Sequence, residues 1–145
     1  MPQRIFLLLF IIAIFASCTS LDFWGYKNLG NHFFLSEGDG YTYSIVYNDR
    51  DNGSEGGTII IDKHIIRLNY NDHFIMAKRI VYEPFGPGMV TFWLIDKTKI
   101  FDFNKKNWKE GVVTGPLDSV ALDKYLRQRS IDLNWGNAIN LRPPH

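Results

Sequence analysis

The stretch Ile65-Ile66-Arg67-Leu68-Asn69-Tyr70-Asn71-Asp72-His73-Phe74-Ile75-Met76-Ala77-Lys78-Arg79-Ile80-Val81-Tyr82 decides the fold class. Two runs rich in branched and aromatic residues, 65–70 and 73–82, are separated by Asn71-Asp72 alone. Such residues suit the pleated, half-buried surface of a sheet. A two-residue connection joins only antiparallel neighbours, because parallel strands need a long crossover. A β-hairpin is therefore predicted here, with 73–82 as its longer strand.

The same reading extends outward in both directions. Residues 32–36 form a short apolar run that ends at the turn Glu37-Gly38-Asp39-Gly40. Residues 41–47 alternate, with Tyr41, Tyr43, Ile45 and Tyr47 on one face and Thr42 and Ser44 on the other. A polar loop, 48–57, leads to a strand at 58–61, split from 65–70 by Asp62-Lys63. Downstream, Pro84 and Pro87 break the sheet between 83 and 88. Residues 89–95 are apolar enough for a central strand. Residues 99–103 and 111–114 are weaker, and Lys97, Lys99, Lys105, Lys106 and Lys109 suit an edge guarded against aggregation.

Gly115-Pro116 halts this pattern, and Asp118 or Ser119 is placed to cap a helix over 120–130. Ala121, Leu122, Tyr125 and Leu126 make its apolar face, with Asp123, Lys124, Arg127 and Gln128 turned away. The expected fold is α+β: an antiparallel β-meander of about six or seven strands with one C-terminal helix packed on the sheet. A small closed barrel is the alternative. The domain is placed at residues 31–130, with an irregular tail over 131–145.

The N-terminal segment reads differently. Arg4 precedes an apolar run, 5–15, which ends in Phe15-Ala16-Ser17-Cys18. This is the layout of a secretory signal: a positive start, an apolar stretch and small residues before a cut. Residues 5–17 would cover roughly 20 Å of helix at about 1.5 Å per residue, too short for a hydrocarbon core of about 30 Å. The order around Cys18 resembles the lipobox of bacterial lipoprotein signal peptides. That resemblance implies a leader at 1–17, cleavage before Cys18 and a diacylglycerol on its thiol, with a tether over 18–30. An ordinary cleaved signal with an incidental cysteine is the rival reading. Cys18 is the chain's single cysteine, and lipidation would consume a thiol that is otherwise a liability in an oxidising compartment.

Charge and composition narrow the partners. Lys and Arg number 16 against 15 Asp and Glu. Arg4 lies in the leader, so the remainder is formally neutral. Nucleic-acid binding leans on phosphate neutralisation and is not expected. The expected partners are the membrane, through the lipid on Cys18, and an envelope protein or glycan. Eleven Phe, seven Tyr and four Trp spread along the chain support a well-filled core and exclude a disordered domain.

Motifs that carry chemistry are sparse. His32, His64, His73 and His145 lack the spacing that sets two imidazoles on one metal. His64 and His73 fall on neighbouring predicted strands, near Asp62 and Asp72, and are read as solvated hairpin ends. The loop Asn48-Asp49-Arg50-Asp51-Asn52-Gly53-Ser54-Glu55 resembles a calcium loop only superficially, because Arg50 and Ile59 would fall at ligand positions. Gly38-Asp39-Gly40 is followed by a strand instead of a helix, which argues against a dinucleotide turn. No nucleophile elbow is found. No catalytic residue, metal ligand or cofactor is expected. Trp93 sits inside an apolar strand and is read as core. Trp108, between charged neighbours, and Trp135, in the tail, are expected to be exposed and to mark a binding surface.

Three further segments occur in order: 70–79 (Tyr70-Asn71-Asp72-His73 through Lys78-Arg79), Phe92-Trp93-Leu94-Ile95-Asp96-Lys97, and Gly115-Pro116-Leu117-Asp118. With the Cys18 motif in front, the chain is similar to a group of small bacterial lipoproteins assigned to families of unknown function. The resemblance covers roughly residues 30–130. It implies one sheet-rich domain at a bacterial envelope and brings no catalytic residues with it. The expected function is a membrane-anchored, non-enzymatic binding module of the cell envelope. The alternative is an envelope hydrolase or metal-dependent enzyme whose acids and histidines come together from distant segments.

Overall fold

The computed structural model describes residues 26–39, 41–50, 53, 55–82 and 87–141. Cys18 and the expected leader, 1–17, lie outside these residues. Among the described residues the architecture is α+β, with two antiparallel sheets and one helix. The first sheet has the order β1-β2-β3-β4, formed by Tyr26–Gly30, Phe33–Gly38, Thr42–Tyr47 and Thr58–Ile61. The second has the order β8-β7-β6-β5-β9, formed by Val113–Leu117, Met89–Asp96, Phe74–Val81, Ile65–Tyr70 and Ile139–Asn140. The helix, α1, is Ser119–Gln128.

Strand parity explains the layering. In β6, Ile75 and Ala77 face the first sheet, while Phe74 and Met76 face α1. In β7, Trp93 and Ile95 face the first sheet, while Phe92 and Leu94 face α1. Side chains alternate along a strand, so two apolar residues in succession require cover on both faces. The second sheet is thus a middle layer. Its inner face meets Leu29, Phe33, Leu35, Ile45, Ile60 and Ile61 of the first sheet. Its outer face meets Leu122 and Leu126 of α1.

Several expectations are corrected. Among the described residues, nine strands in two sheets replace six or seven in one, because the chain changes sheet at Asp62-Lys63-His64. Lys63 N donates to Ser44 Oγ at 3.0 Å in the first sheet. Ile80 N donates to the next residue's carbonyl, His64 O, at 3.1 Å in the second. A connection this short reads as a hairpin in sequence, yet it bridges the layers. The 65–82 hairpin is present. Its turn is one residue later than predicted, since Asn71 N donates to Phe74 O at 3.0 Å and leaves Asp72-His73 at the tip. Asn71 Oδ1 also accepts from the His73 and Phe74 amides, at 2.9 and 2.8 Å.

The expected tether ends before residue 30, because Tyr26–Gly30 pairs with β2 and buries Leu29 between the sheets. Residues 99–103 are irregular instead of a strand, with Phe101 buried against Phe33 and Tyr47. Gly115-Pro116 lies inside β8 and does not halt the sheet. Phe92 pairs with Leu117 and Leu94 with Thr114, so the two residues form a bulge opposite Trp93. A Cβ on Gly115, where φ is +142°, would stand 2.8 Å from Phe92 O and from the Trp93 ring. Proline is tolerated because β8 is an edge strand.

The tail is not irregular throughout. Ile131, Leu133 and Trp135 pack with α1, and β9 pairs with β5 through Leu68 with Ile139 and Arg67 with Asn140. That pairing covers a sheet edge. The helix agrees with expectation. Asp118 is its N-cap, with Oδ1 accepting from the Ala121 amide at 2.7 Å, an arrangement worth about 1 kcal/mol. Leu122 and Leu126 are its buried residues.

Leu126→Ala is expected to cost about 2–5 kcal/mol by leaving a cavity between α1 and the middle sheet. Gln128→Ala, on the exposed face, should stay within about 0.5 kcal/mol. Urea midpoints of the two variants and wild type measure the difference, and equal midpoints would mean the helix contributes no packing.

Candidate functional site

The residues singled out in the sequence separate into unrelated places. Trp108 and Trp135 are half-buried instead of solvent-facing, and they belong to different cores. Trp108 lies 5.4 Å from Phe101 and 5.1 Å from Phe103, at the end of the inter-sheet layer. Lys109 folds over its ring at 4.9 Å and donates to Ile60 O at 2.7 Å. Trp135 stacks near Phe92, at 5.9 Å, and under the Arg67 guanidinium, at 5.6 Å. Arg67 Nη2 in turn donates to Trp135 O at 2.7 Å. Flanking charges suggested exposure. The long stems of Lys109 and Arg67 instead lie along the rings. The pair forms no common platform.

The histidines also stay apart. His64 precedes β5 and His73 sits at the hairpin tip, so the length of β5 separates them. The His64 ring packs edge-on against Tyr82 at 5.1 Å, and its Nδ1 is buried with no hydrogen-bond partner. The 48–55 loop is organised by a buried amide. Asn48 Nδ2 donates to Gly53 O at 2.8 Å and Glu55 O at 2.9 Å, and Asn48 Oδ1 accepts from the Arg50 amide. Among the described residues, no three His, Cys, Asp or Glu side chains are grouped to hold a metal ion.

The most site-like feature was not singled out in the sequence. A cavity of about 330 Å³ lies between α1 and the β7–β8 end of the middle sheet. Phe74 and Leu94 supply apolar lining, and Asp96, Thr114, Tyr125 and Arg129 supply polar groups. Asp96 ends β7, Thr114 belongs to β8, Tyr125 is in the last turns of α1 and Arg129 is its C-cap. Thr114 Oγ1 donates to Tyr125 Oη at 3.2 Å. The Arg129 guanidinium lies 4.8 Å from the centre of the Tyr125 ring. Asp96 Oδ1 accepts from Thr98 N and Oγ1, and Lys99 Nζ approaches Oδ2 at 3.6 Å. The cavity's lining is mixed, with polar groups converging from β7, β8 and α1. The arrangement provides a cation, a phenol and a carboxylate that can orient a polar ligand. It assembles no nucleophile with an adjacent base.

A second unforeseen group is Lys97, only 6% exposed. It continues the inward parity of Trp93 and Ile95, so its side chain enters the layer between the sheets. Nζ donates to Leu29 O at 2.6 Å and lies 5.8 Å from the centre of the Tyr70 ring. Asn31 Nδ2 donates to Lys97 O at 3.1 Å. Lys97 therefore ties β1 to β7 and guards no edge. Burial pushes its ammonium below the ordinary lysine value, and the nearby Asp72 carboxylate offsets part of this. Lys109 is shifted the same way by burial, with Asp62 opposing. Extending the alternation of β7 by two residues would have exposed Lys97 as inward-facing.

No family model matches the chain, and no curated protein or solved structure matches it.

A lysine depressed in the folded state binds fewer protons there than in the unfolded chain. Stability should then rise with pH between the depressed folded value of Lys97 and the ordinary value of about 10.4. Lys97→Met should flatten this alkaline rise, leaving the part due to Lys109. Urea midpoints at neutral pH and near the ordinary lysine value test it. An unchanged slope in the variant would show that Lys97 is not desolvated.

Proposed function

We propose that this chain is a membrane-anchored lipoprotein of the bacterial cell envelope whose domain is a non-enzymatic binding module. The observation that carries the reading is the order Phe15-Ala16-Ser17-Cys18 after the apolar run 5–15, with Cys18 as the single cysteine. Two or three acyl chains would hold the domain firmly, because one chain gives only marginal binding and two signals make it stable. Among the described residues, no helix is long and apolar enough to cross a membrane.

The cavity beside α1 supports the binding part of the reading. Its cation, Arg129, forms no ion pair among the described residues, and its phenol and threonine hydroxyl are held in place by each other. A small ligand or a side chain of an envelope partner, protein or glycan, is the occupant that this lining suits.

Cys18→Ser should abolish labelled-palmitate incorporation and move the protein from the membrane fraction to the soluble fraction. Undiminished incorporation in the variant would contradict the lipoprotein reading.

A further inference from the structure

We infer that one end of the sandwich, marked by Tyr82, Met89 and Val90, rests on the lipid surface to which Cys18 is anchored. This orientation rests on the lipoprotein reading above and adds to it which face of the domain meets the bilayer.

The end is defined by hydrogen-bonded rows that cross both sheets. In the first sheet Tyr26 pairs with Ser36, and Ser36 with Ser44. Ser44 Oγ receives the Lys63 amide at 3.0 Å. The next residue, His64, receives the Ile80 amide in the second sheet at 3.1 Å, and Ile80 pairs with Val90. Tyr26, where the described chain begins, therefore shares an end with Tyr82, Met89 and Val90. The opposite end carries Leu29, Asp72-His73 and Lys97, joined by the Lys97–Leu29 hydrogen bond.

Apolar exposure alone does not choose the end, since Ile100 and Phe103 are exposed beyond Lys97 at the opposite one; two features together favour the first end. Its β6–β7 hairpin presents large apolar residues to solvent: Met89 is 53% exposed, Tyr82 49% and Val90 40%. Tyr41, in the turn between β2 and β3 at the same end, is 51% exposed. Tyrosine in particular favours the membrane–water boundary, where its ring is apolar and its hydroxyl wet. The second feature is reach. Residues 18–26 extend at most roughly 29 Å, at about 3.6 Å each, so a lipid on Cys18 keeps this end close to the headgroups. Leu21, Phe23 and Trp24 lie on that segment.

Charge decides the kind of contact. Among the described residues near that end, Lys27, Lys63 and Arg79 are matched by Glu37, Asp39 and Asp62, and one more acid, Glu83, follows Tyr82 in the sequence. No basic field attracts anionic lipid, so the contact is apolar and interfacial. It should depend little on salt or headgroup charge.

Lipidation leaves no free thiol, which permits single-site labelling of the mature, acylated chain. Nitroxides are placed at Met89→Cys, at Val90→Cys as a second probe, and at His73→Cys on the opposite end. The labelled proteins are reconstituted in vesicles of phosphatidylethanolamine and phosphatidylglycerol. Collision rates with oxygen and with a neutral nickel chelate are then compared. Each labelled chain should keep its wild-type urea midpoint.

The expected result is that labels at 89 and 90 collide several-fold less with the chelate and more with oxygen than the label at 73, at low and high salt alike. Equal chelate access at both ends, with the protein still on vesicles, would overturn the orientation and leave the anchor intact. Shielding of 89 and 90 from both reagents equally, in vesicles and in detergent, would assign the patch to a protein contact and also overturn it. A chain that washes off vesicles and carries no acyl group would remove the anchor and the orientation together.

Discussion

Burial of the middle sheet on both faces is the constraint on which the structure depends. Ile75, Ala77 and Ile95 fill one side of β6 and β7, while Met76 and Leu94 fill the other. Neither face can be left to water. One apolar face calls for the first sheet, and the other calls for α1 together with residues 131–135. The two cores are separate clusters on opposite faces of the strands they share. Each covering layer removes apolar surface from water at roughly 25 cal/mol per Å², so loss of either would expose half of the middle sheet.

The polar features follow from that layering. Lys97 and Lys109 cross from the β7 side of the molecule to carbonyls of β1 and β4. They satisfy acceptors that would otherwise be buried or compete for water. Arg67 does the same on the outer face, at Trp135 O. Cation-to-carbonyl contacts hold the layers in register where the hydrophobic effect, being non-directional, cannot. The cavity beside α1 arises where the helix leaves the sheet at Arg129, so its polar groups come from three elements that meet only in the folded chain. The proposed lipid-facing end arises from the same arrangement, since β1 begins where the β6–β7 hairpin ends.

Much of the fold was legible because it is local. Residues 58–61 and 65–70 have the limits predicted from composition and turn residues. The 65–82 hairpin and the helix with its Leu122 and Leu126 face also follow from periodicity. What was not legible is long-range. Asp62-Lys63 looks like a turn whether the chain returns to its own sheet or passes to another, and only partners distant in sequence distinguish the two. β9 is two residues long and is set by β5, not by its own propensity. β1 carries too few branched residues to announce itself. For the site, the proposal at Cys18 rests on a short local motif alone. Lys97, Lys109 and Trp108 differ from expectation because a charged neighbourhood does not require exposure. Long cationic stems are half apolar and can lie inside. Asp96, Thr114, Tyr125 and Arg129 gave no signal, as no spacing rule links a strand end to a helix C-cap.

Native-state hydrogen exchange of the intact chain tests the two-faced burial most directly. The amides of Ile75, Met76, Ala77, Leu94 and Ile95 should be the slowest, with opening free energies equal to the global unfolding value from urea. The amides of β1 and β9, at sheet edges, should open at lower free energy. Contradiction would come from β6 and β7 amides exchanging as fast as those of β1, or well below the global value, because the middle sheet would then not be the element that both layers enclose.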